Sequence, residues 1–307
     1  MGMNLKLYIV SHKKTFVPNC RYLVPIQVGC DMARELFDGY MHDNEGDNIS
    51  SKNPDYCELT ALYWIWKNDM SDYVGLFHYR RYLALNNNGL VSYMNDFKQF
   101  YRVEALTQKN FEFLGYFDED AVARIKDYDI IMPKCSVLEW RNISDFYSLY
   151  KKSYGRELDY AFSILKKDKP EYEPAIKECM CSRFGYHCNM FIMKRAVLDE
   201  YCEWLFPVLD SMYADIQLGS FSTDKKRLMG YLAEFLFGVF VCHKRNTLVI
   251  GELPGVFFVN TDGKSHLLQA AVSHVSHAAF RLAVPLGSRR ERFFYRILDT
   301  CREGKEK

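Results

Sequence analysis

The sequence predicts an α/β fold in which a mostly parallel sheet is flanked by helices. Three segments carry this prediction: a β-favouring run at Leu5–Val10, a helix at Asn53–Lys67 and an apolar strand at Tyr73–Phe77. Polar residues directly follow both strands, and the order strand, helix, strand indicates parallel strands with helices on the sheet faces. Ligands bind beyond the carboxyl ends of such strands, so we expect the functional site there.

The helix is indicated by its start and by its apolar stripe. Asn53 can cap the first turn, and Pro54 fits the first helical position. Apolar side chains then recur at helical spacing, at Leu59, Leu62, Tyr63 and Trp66.

The remaining chain predicts further strands and helices in one domain. Strands are expected at Asp129–Met132, Asn189–Met193 and Thr247–Gly251, and helices at Ser144–Leu165, Ala196–Met212 and Leu228–Phe240. Residues 84–126 are expected to form a mostly helical insertion or lid. The domain is expected to span residues 1–265, followed by a basic, aromatic helical appendage at 266–307.

Composition excludes several classes of protein. Of 307 residues 49% are hydrophobic, enough for a large core, and the formal net charge of +1 argues against a nucleic-acid partner. The ten cysteines are expected to be reduced, because the first residues have no signal-peptide pattern. No apolar stretch reaches about 20 residues. We therefore expect a cytoplasmic protein, with contact at the inner membrane face as a further expectation.

Three motifs in the first 82 residues resemble the DUF4422 family. They are Asp43–Asn53 (DNEGDNISSKN), Cys57–Trp64 (CELTALYW) and Gly75–Tyr82 (GLFHYRRY). The resemblance runs from His12 to about Glu234. It implies a Rossmann-like GT-A fold and a glycosyltransferase of bacterial capsular or lipopolysaccharide synthesis, with a nucleotide-sugar donor, expected to be a UDP-sugar.

The resemblance also implies donor-binding residues. Ser11 and His12 take the place near the nucleotide, and Ser50 and Asn53 take the place that faces the ribose and sugar. Asp47 is a further candidate for a sugar or ribose contact. Two alternatives stay open, since Asn53 can be only a helix cap and Asp47 only part of a turn.

The strand Tyr73–Phe77 ends where GT-A enzymes carry a metal-binding Asp-x-Asp, and His78-Tyr79-Arg80 stands there instead. Imidazole and guanidinium groups would repel a divalent cation, whereas Arg80 or Arg81 can stabilise a leaving diphosphate. The prediction is a metal-independent site with His78 and Arg80 in catalytic roles. The alternative is a solvated strand end in which one arginine pairs with an acidic residue, Glu58 or Asp72.

Two other segments suggest metal ligands more weakly. Asp127-Tyr128-Asp129 is an Asp-x-Asp, but it precedes its strand, so Mn²⁺ or Mg²⁺ there is only an alternative. The cysteines and histidine of Cys179-Met180-Cys181 and His187-Cys188 fit no common zinc spacing and are expected to be reduced thiols.

The acceptor side is predicted from two later elements. Asn189 begins a strand of the kind that lines acceptor pockets in GT-A enzymes, although a core strand with a polar cap explains it equally well. On the helix from Leu228, Tyr231 and Glu234 share a face with two glycines, and Glu234 is the candidate general base. A solvent-exposed Glu234 paired with Arg227 or Lys226 is the alternative.

The acceptor itself is expected to be lipid-linked or an oligosaccharide. The run Ser288–Arg296 (SRRERFFYR) mixes arginine with aromatic residues and predicts contact with an anionic membrane surface, or else an ordinary amphipathic helix. A competing function is a catalytically silent protein that binds nucleotide-sugars or glycans on the same fold.

Overall fold

The computed structural model describes residues 3–86, 94–96, 100–137, 145–186, 188–265, 267–285, 288–290 and 293. Its strands are β1 Leu5–Ser11, β2 Leu23–Gln27, β3 Met41–His42, β4 Tyr73–His78, β5 Arg81–Leu83, β6 Met94–Asp96, β7 Phe100–Ala105, β8 Ile130–Pro133, β9 Ser136–Val137, β10 Phe184–Gly185, β11 Phe191–Lys194, β12 Ile250–Leu253 and β13 Gly255–Asn260. Its helices are α1 Asn53–Tyr56, α2 Leu59–Asn68, α3 Gln108–Glu112, α4 Glu119–Ala123, α5 Phe146–Asp168, α6 Glu173–Cys181, α7 Arg195–Gln217, α8 Leu228–Lys244 and α9 Leu267–Ala283.

The centre of the main sheet is parallel. β1 lies between β2 and β4 and runs parallel to both, and β3 extends the sheet beyond β2. On the other side of β4, the antiparallel β11 separates it from β8, which pairs in parallel with β12. β4 and β8 therefore point the same way. The predicted α/β fold with a mostly parallel sheet is confirmed.

Both faces of the sheet are buried, as expected for parallel strands covered by helices. Along β1, Tyr8 and Val10 pack into the core that contains the buried residues of α2, α5, α7 and α8. Leu7 and Ile9 point the opposite way, into a second core that contains buried residues of β7, β13, α3 and α4. This alternation follows from the two-residue period of a strand.

The prediction of a single helix at Asn53–Lys67 is wrong, because this segment forms two separate helices. α1 ends at Tyr56 and α2 begins at Leu59. Between them Cys57 has φ +52°, outside the right-handed helical region. The apolar stripe gave no sign of this break, since its members all lie within α2.

Residues 84–126, predicted to form a mostly helical insertion or lid, contain strands as well as helices. β7 belongs to the main sheet, where it pairs in parallel with β13, and the short helices α3 and α4 and a 3-10 helix at Arg124–Asp127 follow it. Aromatic and β-branched residues in β7 (FYRVEA) and β13 (GVFFVN) explain the extended conformation. Residues 87–93 and 97–99 of this segment lie outside the described residues.

The remaining differences are mostly of position. The last predicted strand begins three residues later, as β12, while β2, β13 and α6 had not been predicted. The C-terminal α9 exposes large apolar side chains at Leu268, Val272, Val275 and Leu282. Most of Ser288–Arg296 lies outside the described residues, so the predicted membrane contact stays a prediction. Within the described part of the chain, no helix is long and apolar enough to cross a bilayer.

Candidate active site

A cleft of about 580 Å³ opens at the carboxyl ends of β1 and β4. Seven of the residues predicted from sequence line it: His12, Asn53, His78, Arg80, Arg81, Tyr231 and Glu234. They come from β4, the turn after it, β5, α1, α8 and the segment after β1. The topology therefore brings together residues up to 222 positions apart, at the sheet edge where ligands are expected.

The other four predicted residues do not line the cleft. Ser11 is buried, and its hydroxyl bonds the carbonyl of Lys13. Asp47 is exposed and bonds through its backbone to the side chain of Asn68, at the far end of α2. The Ser11 side chain therefore serves the turn after β1, whereas the Asp47 carboxylate accepts from the Tyr63 hydroxyl on α2 at 3.2 Å.

Ser50, the third of these, belongs to a buried network around Asp43. The fully buried Asp43 carboxylate accepts hydrogen bonds from Gly29 N (2.9 Å), Cys30 N (3.0 Å), Ser50 Oγ (2.6 Å) and Thr60 Oγ1 (2.6 Å). The network ties the loop after β2 to α2. Asn53 adjoins it through a 3.1 Å bond to Thr60 Oγ1 while also lining the cleft. Asp43 is thus a scaffold residue behind the site, and sequence analysis had noted it only as the first residue of a motif.

Asn189, the fourth, lies behind the cleft. It is 1% exposed, and its amide nitrogen donates to Glu58 Oε1 (2.8 Å) and to the carbonyl of Gly230 (3.1 Å). It therefore connects the start of α2 to α8 and orients the Glu58 carboxylate. Its position supports a positioning role more than the predicted direct contact with an acceptor.

Arg80 and Arg81 stand on a tight hairpin. β4 and β5 pair at His78 and Arg81, which leaves Tyr79 and Arg80 as the two turn residues. The ring of Phe257, on β13, lies 5.0 Å from the Arg80 guanidinium and 5.5 Å from that of Arg81. Cation–π contact of this kind orients both groups without neutralising them.

Neither guanidinium is within 4.0 Å of a carboxylate among the described residues, unlike those of Arg21, Arg195 and Arg245. The alternative of an arginine paired with Glu58 or Asp72 is therefore not what the structure shows. Two unpaired cations at a cleft wall favour binding of an anionic group.

A third guanidinium, from Arg227, reaches the same cleft from α8. Its Nε donates to the sulfur of Cys57 (3.2 Å), and its guanidinium lies 5.6 Å from the ring of Tyr231. Arg227 precedes the first residue of α8, whose amino end adds positive potential. The ring of Tyr231 stacks in turn on Tyr154, at a kink in α5.

Burial, with help from nearby cations, keeps His78 neutral at pH 7. Burial, reinforced by Arg81, Arg80 and Arg227, lowers the pKa of His78 to about 4, although the Glu58 carboxylate opposes this. Burial and the nearby cations also lower the pKa of His12. Both imidazoles are therefore hydrogen-bonding groups at neutral pH and add no charge.

Glu234 has the ionisation behaviour of a general base. Burial, and next the neighbouring Glu58 carboxylate, raise the pKa of Glu234 to about 7, against lowering contributions from Tyr150 and Arg81. The Tyr150 hydroxyl donates to Glu234 Oε2 at 3.1 Å. The alternative interpretation required a salt bridge from Glu234 to Arg227 or Lys226, and the structure has neither. A carboxyl group that titrates near pH 7 is suited to accept a proton from an acceptor hydroxyl.

Backbone strain is concentrated at the same cleft. Among the described residues, three non-glycine residues have positive φ: Cys57 (+52°), Cys188 (+70°) and Arg227 (+58°). All three line the cleft. Such conformations cost of order 1–3 kcal/mol each and cluster at functional sites. The strain is an indication of function that is independent of the charges.

Comparison with known proteins gives a family and a similar solved structure. Residues 6–245 match the family model described as "Domain of unknown function (DUF4422)". The chain belongs to the DUF4422 family. A search of curated proteins gave no match. Among solved structures, the chain is similar to the "WbbM bifunctional glycosytransferase apo structure", with 31% identity and a TM-score of 0.74. The match covers 84% of this chain and 46% of that one, so it spans about half of the WbbM chain.

In this DUF4422 chain two carboxylates of described residues line the cleft, those of Glu58 and Glu234. Glu58 and Glu234 stand among three guanidiniums, whose charge opposes a metal ion. Asp129 accepts from Val249 N (2.9 Å) and lies 3.7 Å from Lys194 Nζ. It precedes β8 and so lies at the sheet edge opposite the end of β4.

Of the cysteines that were weighed as metal ligands, Cys188 lines this cleft, whereas Cys179 and Cys181 lie apart from it. Cys179 on α6 neighbours Cys242 on α8, and burial raises the pKa of both thiols. His187 lies outside the described residues. Within the described ranges, no group of three or more His, Cys, Asp or Glu side chains has the arrangement of a metal site.

Proposed function

We propose that this chain is a glycosyltransferase that moves a hexose from a nucleotide-sugar, with a UDP-sugar as the expected donor, to a glycan acceptor in bacterial surface polysaccharide synthesis. One observation carries the proposal. Three guanidiniums with no carboxylate partner among the described residues share a cleft with a carboxyl group that titrates near pH 7. The likeness to WbbM supports the reaction class.

In the proposed reaction the donor diphosphate binds to Arg80, Arg81 and Arg227. These cations balance the negative charge that develops when the bond between the anomeric carbon and the diphosphate oxygen breaks. Because they come from two separate elements, they can contact different phosphate oxygens. Guanidinium charge then takes the role for which other enzymes use a divalent cation, and we propose a metal-independent reaction.

The acceptor hydroxyl is deprotonated by Glu234 as its oxygen forms the new bond to the anomeric carbon. The proton passes to the Glu234 carboxylate, and the electron pair of the broken bond leaves on the nucleoside diphosphate. Neutral His78 and His12 provide hydrogen bonds to the donor. The pKa near 7 makes Glu234 a stronger base than an ordinary carboxylate while part of it stays ionised at neutral pH.

A test is to measure release of UDP from a panel of UDP-hexoses, mixed with a panel of methyl and p-nitrophenyl glycosides. We expect turnover by the wild-type protein and, because a general base contributes about 10²–10⁴-fold, at least about a hundredfold slower turnover by Glu234→Gln. Binding of UDP-hexoses without turnover of any member would contradict the proposal and favour the catalytically silent binding protein.

A further inference from the structure

A second cavity adjoins the cleft and shares Glu234 with it. This cavity, of about 280 Å³, runs along the second half of α8, between that helix, α6 and the strands β8 and β12. We call it the α8 slot. Glu234 lines both the slot and the cleft, so its carboxyl group stands at the junction between them.

One face of α8 forms a wall of both cavities. Arg227 and Tyr231 line the cleft, and Gly238 and Arg245 line the slot, at the spacing of one helix face. From Glu234 to Arg245 this wall is about 16 Å long, at 1.5 Å per residue. The slot is therefore an elongated extension of the cleft that begins at the general base.

Gly238 supplies a second observation. Glycine inside a helix costs about 1 kcal/mol relative to alanine. At Gly230 an added Cβ would meet the Cys57 side chain at 3.4 Å, an ordinary contact distance. At Gly238 no described atom lies within 4 Å of such a Cβ. Packing within the described part of the protein therefore does not require this glycine, and its absent side chain leaves room in the slot.

The walls of the slot suit an uncharged sugar chain. Met132 and Ile250 are apolar, and Tyr186 is aromatic, with its hydroxyl donating to Glu252 Oε1 at 2.7 Å. At the far end Arg245 forms an ion pair with Glu178, so the described residues that line the slot offer no unpaired cation to an anionic ligand. Apolar walls with a few fixed polar groups bind ligands that carry both kinds of surface, as pyranose rings do.

We propose that the α8 slot binds the glycan acceptor, with the reacting hydroxyl at Glu234 and the preceding sugar units extending toward Arg245. This inference rests on the proposed function, because it assigns Glu234 as the base. The donor then occupies the cationic cleft and the acceptor the slot, one on each side of the same carboxyl group. A substitution that fills the slot should weaken acceptor binding and leave donor binding unchanged.

The test compares Gly238→Leu, which fills the slot, with the matched control Gly238→Ala. Both replace a helical glycine by a better helix former, so both should fold. Saturation-transfer NMR measures binding of the methyl and p-nitrophenyl glycosides in the presence of UDP, and isothermal titration measures UDP. We expect glycosides to bind to the wild-type and Gly238→Ala proteins. In Gly238→Leu their binding should weaken by at least about tenfold, or 1.4 kcal/mol, with the dissociation constant for UDP unchanged.

Three outcomes would overturn the inference. The first is that both variants bind glycosides equally well. The second is that the slot binds octanol, used as an apolar probe, but no glycoside. The third is that wild-type protein binds UDP but gives no glycoside signal. Failure of wild-type protein to bind UDP would instead count against the proposed function, and this separates the two failures.

Discussion

Replacement of Tyr150 by phenylalanine tests the role of Glu234 through pH. The Tyr150 hydroxyl donates to Glu234 Oε2 at 3.1 Å and so stabilises the ionised carboxylate. Without this bond the protonated form is favoured, and the pKa of Glu234 must rise. Because a general base acts in its ionised form, the rate of transfer is lost on the acid side of that pKa.

The size of the effect follows from the hydrogen bond. A hydrogen bond to a charged group contributes about 1.5 kcal/mol at the low end of its range, and one pKa unit corresponds to about 1.4 kcal/mol. The acid limb of kcat/KM should therefore move from a pKa of about 7 in the wild-type protein to roughly 8 in Tyr150→Phe. At pH 7 the ionised fraction falls from about one half to about one tenth, so the rate falls roughly fivefold.

The assay is UDP release between pH 5.5 and 9.5 for three variants. Tyr160→Phe is the matched control, because Tyr160 lies on the same helix α5 and its hydroxyl bonds Asp215, outside the cleft (2.6 Å). Its profile should match that of the wild type, and Glu234→Gln should have no acid limb. An acid limb that stays in place in Tyr150→Phe, or that persists in Glu234→Gln, would refute the assignment of Glu234 as the base.

Three further predictions concern stability. Asp43→Ala leaves four buried donors without their acceptor, at a cost of about 1 kcal/mol or more each. It should lower the free energy of unfolding, measured in urea, by about 4 kcal/mol. The control Asp47→Ala, at an exposed residue, should change it by less than about 0.5 kcal/mol. The folded-state pKa of Glu234 (about 7) exceeds its ordinary value of 4.5, so the wild-type protein loses stability as pH rises through that window. Between pH 4.5 and 8 the free energy of unfolding of Glu234→Gln should therefore gain up to about 3 kcal/mol relative to that of the wild type. If the difference between the two proteins does not change with pH, the pKa of Glu234 is not raised. Trp66→Ala removes a ring stacked on Phe206 (5.6 Å between centroids) and should lower stability by about 2–3 kcal/mol without weakening UDP binding; weaker binding would contradict its structural role.

The sequence predicted the part of the site that depends on local order. The order strand, helix, strand indicates the parallel sheet, and the residues HYRRY after the second strand then place a cationic cluster at its edge, because strand direction decides which residues meet there. Helical periodicity alone was likewise enough to predict the helix at Leu228–Phe240 and to place Tyr231 and Glu234 on one of its faces.

Other features depended on tertiary contacts that no local pattern encodes. Arg227 shares the helical face of Tyr231 and Glu234, but its bond to the Cys57 sulfur depends on tertiary packing, and the orienting ring of Phe257 belongs to a strand that had not been predicted. The resemblance indicated Ser50 as a ligand contact, yet its hydroxyl is taken by the buried Asp43 carboxylate. Polar residues in a motif can thus shape the scaffold behind a site as well as contact the ligand.

The central claim, that this cleft binds a nucleoside diphosphate through guanidinium groups, is tested most directly by isothermal titration with UDP. The wild-type protein, Arg80→Ala, Arg81→Ala and Arg227→Ala are titrated in excess EDTA and then with Mn²⁺, with Arg21→Ala as a control whose arginine pairs with Glu119 outside the cleft. We predict micromolar binding that ignores EDTA, is unchanged in Arg21→Ala and weakens by at least about tenfold in each cleft variant. Absent binding, binding that requires Mn²⁺, or wild-type affinity in all three cleft variants would contradict the account.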